Sequence, residues 1–310
     1  MTDFDTLVRV SRLYYEGGET QERVASLVGV TRPQVSKLLK EARAKGVVEI
    51  RIVDRSGGVD ALAERVRRRF GLRDVRLAPT IDGLEGAGRR RLGALAADAL
   101  RSAVRAGQVI GVGAGSSVSA VGEALESAST PIDATVVPLC GGFWLSAAGP
   151  EPFRRVAEAL GSTSRALLAP GLLESPATRD ALWADPGIRA IRDLWNRLDV
   201  ALFGIGGPAW SEAAVGPDLL REIEAGKAVG EVLIAPFDIE GRFVADGLRA
   251  RTIAFDARSL AAVPVSIGVA EGPSKVAPIL GALRAGVVKV LVTDARTAEA
   301  VEALDLEDGK

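Results

Sequence analysis

The stretch Val109-Ile110-Gly111-Val112-Gly113-Ala114-Gly115-Ser116-Ser117 decides the fold. Three of its first four residues are β-branched, as a strand buried on both faces requires, and closely spaced glycines then turn the chain into a segment with helical spacing. A strand that feeds a helix through a glycine turn is the repeating unit of parallel α/β sheets. The same alternation runs from about Asp74 to the end of the chain. Strands are expected at 75–77, 109–112, 135–139, 165–168, 200–205, 232–234, 263–269 and 288–293, with helical segments at 89–104, 118–125, 273–285 and 296–304. The pattern predicts a Rossmann-like α/β domain: a mostly parallel sheet covered by helices on both faces.

Toward the N-terminus the pattern changes. Leu7, Val10, Leu13 and Tyr14 recur at helical spacing, and Glu16-Gly17-Gly18-Glu19 ends that helix. Thr20 is placed to cap a short second helix carrying Val24, Ala25, Leu27 and Val28, and Gly29 permits a tight turn after it. Thr31 caps a third helix over residues 31–45, with Pro33 tolerated in its first turn, and Gly46 closes it. Residues 47–53 read as a strand suited to a wing. The loop over residues 54–58 is then the boundary between a winged helix-turn-helix domain, 1–55, and a larger α/β domain, 56–310. A linker helix over 59–70 carries Arg65, Arg67, Arg68 and Arg69, and reads as a solvated face.

Bulk composition narrows the chemistry. At 310 residues, 47% apolar and 25% charged, the chain suits two globular domains, and no apolar run is long enough to span a bilayer. The first twelve residues lack the features of a secretory signal, so a cytoplasmic protein is expected. There is no histidine and a single cysteine, Cys140. Internal disulfides, Cys/His zinc sites and histidine-based hydrolase triads are thereby excluded, and no cofactor, metal or catalytic residue is expected.

Charge is unevenly placed. Residues 1–55 hold ten Lys/Arg against eight Asp/Glu, and within residues 31–45 Arg32, Lys37, Lys40, Arg43 and Lys45 face only Glu41. At 100° per residue, Val35, Leu38, Leu39 and Ala42 share one face of that helix, while Pro33, Lys37 and Lys40 point away and Gln34 and Ser36 flank them. Such a helix can enter a DNA major groove: Gln pairs with adenine, Ser with several base edges, Lys with guanine or phosphate. Arg32 at the helix start suits a phosphate. An ordinary amphipathic surface helix would show the same periodicity; the short preceding helix and the Gly29 turn favour the DNA-reading alternative, with Thr20, Gln21 and Thr31 completing the candidate face.

The glycine turn after residue 112 presents a second candidate. Backbone amides, the Ser116 and Ser117 hydroxyls and a helix N-terminus can converge there on an anion such as phosphate, although turns of this kind are often only tight connections. Other strand ends are glycine-rich too: Cys140-Gly141-Gly142, Gly204-Ile205-Gly206-Gly207 and Ala270-Glu271-Gly272-Pro273-Ser274-Lys275. Ligands of open parallel sheets sit beyond the carboxyl ends of the strands, so these turns can line one pocket. Lys275 can neutralise a phosphate there, or simply be solvated.

The ordered series Leu13-Tyr14-Tyr15-Glu16, Thr20-Gln21-Glu22-Arg23-Val24-Ala25, Val28 through Ala42 and Gly46-Val47-Val48-Glu49-Ile50 resembles the helix-turn-helix of SorC-family regulators. Gly113-Ala114-Gly115-Ser116-Ser117, Val137 through Gly142, Phe203-Gly204-Ile205-Gly206, Val229-Gly230-Glu231, Phe237-Asp238, Ala270 through Lys275 and Leu291 through Asp294 are similar to the sugar-binding domain of that family. The resemblance implies a transcriptional regulator that binds double-stranded operator DNA and a sugar or phosphosugar effector, assembled as a homodimer or homotetramer. It implies Gly113, Gly115, Ser116, Ser117, Gly141, Gly142, Gly204, Gly206 and Lys275 around the effector, with Glu231 and Asp238 on sugar hydroxyls. Glu271 stands where the family often has glycine; its carboxylate would repel a phosphate or contact a hydroxyl. At fold level the domain also resembles phosphosugar isomerases and deaminases. That leaves two alternatives, an enzyme of that kind and a DNA-binding protein whose second domain only oligomerises.

Overall fold

The computed structural model describes residues 4–48, 58–79, 87–125, 128, 130–142, 151–207 and 210–308. It divides into two compact units, Met1–Ser56 and Gly57–Lys310. The smaller unit contains α1 (Phe4–Ser11), continued by a π-helical turn over Arg12–Glu16, then α2 (Gln21–Val28) and α3 (Arg32–Ala44). The Thr20 hydroxyl accepts from the Arg23 amide at the start of α2, and Gly29, at φ 77°, closes it in a left-handed conformation that costs a glycine little. Val10, Val24, Ala25, Val35 and Leu39 meet in a small core, while Leu27 faces solvent at 40% exposure. The strand expected at 47–53 lies, from residue 49 onward, outside the described residues; Val47 and Val48 are not in a strand.

The larger unit opens with α4 (Gly58–Arg69), β1 (Asp74–Ala78), α5 (Ala87–Ala103), β2 (Val109–Val112), α6 (Ser116–Ala124) and β3 (Thr135–Pro138). There follow α7 (Pro152–Leu160), β4 (Thr163–Ser164), α8 (Pro176–Trp183), α9 (Pro186–Trp195), β5 (Leu198–Gly204), α10 (Glu212–Val215) and α11 (Pro217–Ala225). A hairpin of β6 (Gly230–Val232) and β7 (Ala235–Phe237) leads to α12 (Asp246–Arg249), β8 (Val265–Val269), α13 (Val276–Arg284), β9 (Val290–Asp294) and α14 (Ala295–Asp308).

Seven strands form one parallel sheet in the order β1-β9-β8-β5-β2-β3-β4. The central strands β2 and β8 are buried throughout, and β5 is buried except at Asp199 and Gly204, as their largely apolar sequences require. On one face Leu92, Leu100, Val121, Phe153 and Val156 of α5, α6 and α7 cover Ile110, Val200 and Ile267. On the other, Val66, Ile191, Ile279 and Val301 of α4, α9, α13 and α14 cover Leu139, Phe203 and Leu291. Each fully buried Leu, Ile or Val contributes roughly 1.5–3 kcal/mol relative to exposure. The four arginines of α4 are not simply solvated: Arg65 forks onto Glu302 and Arg69 onto Asp305, tying α4 to α14, while Arg67 and Arg68 share Glu64.

Two expected strands are corrected. The edge strand is Thr163–Ser164 rather than 165–168: Arg165 donates one last bond to Val136 O, after which the chain peels away and Leu168 is left 88% exposed. Pro170 then bridges Gly142 instead of extending the ladder. Residues 232–234 are the end of β6 and a two-residue turn into antiparallel β7. Leu233 and Ile234 sit at φ 50° and 68°, the left-handed pair that a tight hairpin demands and that Asn-Gly usually supplies. In a β-branched residue such as Ile234 this conformation is rare. It is held by the burial of Val232 and Ile234.

Candidate functional site

Because the seven strands are parallel, all their carboxyl ends share one edge of the sheet. Strand order reverses between β2 and β5: the chain moves from β2 outward to β3 and β4, then returns to the other side of β2. Doubly wound sheets bind ligands at such a switch point. There β2 runs into Gly113, whose amide donates to Leu202 O at 2.7 Å, and Ala114, Gly115 and Ser116 emerge exposed. Gly115, at φ 111°, precedes α6 and offers no capping side chain. The first amides of α6 therefore lack an intrahelical acceptor and point their donors and the positive end of the helix dipole outward.

Neighbouring strand ends close around this turn. A methyl group built on Gly204 would lie 3.9 Å from Ala114 O and from Val118 Cγ2. One on Gly113 would meet Phe203 Cβ at 3.2 Å and Leu233 Cδ2, at the hairpin tip, at 3.3 Å. Gly206 exchanges two backbone bonds with Glu231, at 2.8 and 3.1 Å, and a methyl group at Gly206 would fall 2.5 Å from Glu231 Cγ. Glycine is thus what lets the Glu231 side chain lie across the end of β5. Lys275 reaches the same place, its Nζ 3.5 Å from the position a Cβ would take at Gly207. Burial pushes the Glu231 carboxyl up to about 7, against the pull of Lys275, and burial lowers the Lys275 ammonium while Glu231 supports it. The edge therefore holds an uncapped helix N-terminus and an ammonium for an anion, and a carboxyl that can accept or donate a hydrogen bond to a hydroxyl.

Other expected site residues are engaged elsewhere. Gly141 donates to Ile253 O and Gly142 to Ala169 O, both at 2.9 Å, and a methyl group on Gly141 would fall 2.6 Å from Ala169 O and Pro170 O. Gly141 allows backbones to approach, and with both amides bonded neither glycine offers one to a ligand. Asp238 accepts from the Arg242 amide at 2.9 Å and from Arg242 Nε at 2.8 Å, so its carboxylate stabilises the turn after β7 rather than facing the edge. Glu271 lies against the start of α5, where a methyl group on Gly88 would meet Oε2 at 2.9 Å. Burial and then Asp294 raise its carboxyl, with Arg89 and Arg91 opposing. Sequence reasoning missed Leu233 and placed Gly207 only within its glycine-rich turn. Gly207 was visible as the third glycine of its turn; nothing local marked Leu233.

In the smaller unit, Ser36, Lys37 and Lys40 are exposed on α3, as are Pro33 and Gln34, and Gln21 is partly exposed at the start of α2. Gln34 is not an idle side chain, however. Its Oε1 accepts from the Thr31 amide at 2.8 Å while the Thr31 hydroxyl caps the Gln34 amide, forming a capping box. Arg32 pairs with Glu22 at 3.2 Å. Thr20, Thr31, Gln34 and Arg32 are therefore occupied by local structure, and among the described residues the uncommitted polar surface of α3 is Ser36, Lys37 and Lys40.

Among the described residues no group of three or more acidic, Cys or His side chains could hold a metal, and no helix is long and apolar enough to cross a membrane. The sheet with its loaded carboxyl edge defines a class: the family model Sugar-bind, a sugar-binding domain, matches residues 54–302. The chain is 30% identical to the sorbitol operon regulator of Klebsiella pneumoniae over 96% of its own length and 97% of that protein's. It is 28% identical to the deoxyribonucleoside regulator of Bacillus subtilis over 95% of this chain and 96% of that one. The crystal structure of full-length SorC from Klebsiella pneumoniae superposes with a TM-score of 0.79 at 28% identity, covering 97% of this chain and 99% of that one. The chain belongs to the SorC family of transcriptional regulators, whose larger unit is a sugar-binding domain. These relatives are regulators rather than enzymes, which removes the isomerase or deaminase alternative.

Proposed function

We propose that the carboxyl edge at β2, β5 and β8 is the effector site, and that it takes a sugar carrying a phosphate. The supporting observation is convergence: the uncapped start of α6, with Ser116 and Ser117, meets Lys275 and Glu231 across Gly204, Gly206 and Gly207. In this reading the phosphate sits on the α6 amides and hydroxyls with Lys275 as counter-charge, and Glu231 orients a sugar hydroxyl. The Glu271 carboxylate, held against α5, leaves the anion unopposed. The domain fold this assumes is the one shared with phosphosugar isomerases and deaminases, here without catalysis.

The smaller unit, residues 1–55 in this reading, is a winged helix-turn-helix that places α3 in the major groove of operator DNA, with Lys37 and Lys40 on phosphate or guanine and Ser36 on a base edge. Paired units on a two-fold operator require a homodimer or homotetramer, working in the cytoplasm. Effector binding shifts the population of assemblies whose α3 helices match the operator spacing. A gel-shift titration of the intergenic DNA beside the gene, with pentose and hexose phosphates, tests the whole reading. Affinity changes with one of them in the wild type and not in Lys275→Met; DNA affinity indifferent to the entire panel would leave the larger unit as an oligomerisation module.

A further inference from the structure

The β6–β7 hairpin also walls a second cavity, of about 300 Å³, between the hairpin, α8, α9 and the segment after α12. Its lining is strongly cationic: Arg179, Arg192, Arg249 and Arg258 face it, against Asp256 as the one carboxylate among the lining residues. Asp256 is itself used, accepting from the Arg258 amide at 3.1 Å. Arg179 pairs with Asp180 at 2.8 Å, and Arg249 and Arg258 share Asp246 at 3.1 and 3.3 Å.

Arg192 differs from these three. It is half-buried, and among the described residues its side chain forms no ion pair and one hydrogen bond, from Nη1 to Trp183 O at 3.3 Å. Its Cζ lies 4.4 Å from the centroid of the Trp183 ring, on which Arg179 also stacks at 4.4 Å. Trp195, beside Trp183, is pinned by a 2.9 Å bond from its Nε1 to Pro138 O at the end of β3. A guanidinium has five donors, and burying its charge without a counter-charge is costly. Arg192 thus lines the cavity over Trp183 with most of its donors unused among the described residues, and arginine takes up phosphate oxygens in two parallel bonds. The volume suits a small ligand rather than a peptide.

We propose that this cavity is a second anion site, separate from the α6 edge, which binds a small phosphorylated molecule through Arg192 with Arg179 and Arg258 beside it. Among the described residues the two sites share the hairpin tip: Leu233 lines the cavity and packs toward Gly113.

The test is a titration of the full chain with inorganic pyrophosphate, followed by tryptophan emission, to which Trp183 and Trp195 contribute as two of the chain's four tryptophans. A saturable change is expected in the wild type, retained in the Ser117→Ala and Lys275→Met variants, whose lesions lie at the α6 edge. Arg192→Gln should weaken it roughly tenfold or more, the loss of one charge-assisted contact. Arg258→Gln gives a second reading should Arg192→Gln unfold, as its melting curve will show. Three results would overturn the proposal: no saturation in the wild type; a signal lost in Lys275→Met, which puts the anion at the effector edge; or arginine variants that bind pyrophosphate normally but change oligomeric state, which makes the cavity a subunit contact.

Discussion

Two glycine-rich strand ends of this sheet look alike in sequence and do opposite things. At the end of β2, Gly113 and Gly115 bring the chain into α6 with no side chain capping its first turn, and among the described residues nothing lies within 4 Å of a Cβ at Gly115, so the turn is open. At the end of β3, the neighbouring strand, the amides of Gly141 and Gly142 are bonded to Ile253 O and Ala169 O, and the space above Gly141 is filled by backbone. Glycine permits close approach in both; what approaches is solvent or ligand in one and the protein's own chain in the other. The difference is set by residues 169–171 and 253, far away in sequence.

The largest expected effect tests the closed end. Gly141→Ala forces a methyl group against the backbone of Ala169 and Pro170, which cannot retreat as a side-chain end could, and should destabilise the larger unit by about 3 kcal/mol in denaturant unfolding. A tolerated Gly141→Ala would erase the contrast. At the open end, Ser117→Ala should leave stability within about 0.5 kcal/mol of the wild type yet weaken phosphosugar binding roughly tenfold in isothermal titration. An unchanged affinity would move the ligand away from α6.

The same contrast between open and committed polar groups exists on α3. Gln34→Ala removes half of a capping box and should lower the stability of the smaller unit by about 1 kcal/mol. Lys37→Ala should leave stability unchanged, weaken operator binding, and reduce the salt dependence of that binding by about one counterion. Equal effects of the two variants on melting temperature would show that Gln34 is no cap.

A smaller and more specific effect concerns Glu231. Its folded-state value, about 7, lies above the ordinary 4.5, so the folded chain binds a proton more tightly than the unfolded one. Stability from this group is full below the lower value and is lost as pH rises through the upper one. Unfolding measured from pH 5 to pH 8 should show that decline in the wild type and a flatter profile in Glu231→Gln. A profile unaltered by the substitution would mean that Glu231 is solvated and not held against Gly206.

Much of the fold was readable from local pattern. Strands β2, β8 and β9 declare themselves by runs rich in β-branched residues, β5 by a mostly apolar run, and Thr20 and Thr31 by their position before amphipathic helices, because those signals act within a few residues. The Leu233-Ile234 turn carried no such signal: two apolar residues in a left-handed pair are tolerated only because the body of the unit buries the hairpin. Asp238 resembled a ligand group until Arg242, four residues on, was seen to take both its oxygens. Arg192 and Trp183 lay in a stretch without any motif, and their stacking depends on how α8 meets α9. Sequence showed which residues could bind an anion; tertiary contacts decided which are left with donors to spare.

The central claim is that the open end of β2 holds the effector. Amide hydrogen exchange of the full chain, with and without a saturating phosphosugar that alters operator binding, tests it most directly. Protection should appear at residues 115–118 and be absent at Gly141 and Gly142, whose amides are already bonded. Protection confined to other segments, with exchange at 115–118 unchanged, would contradict the assignment.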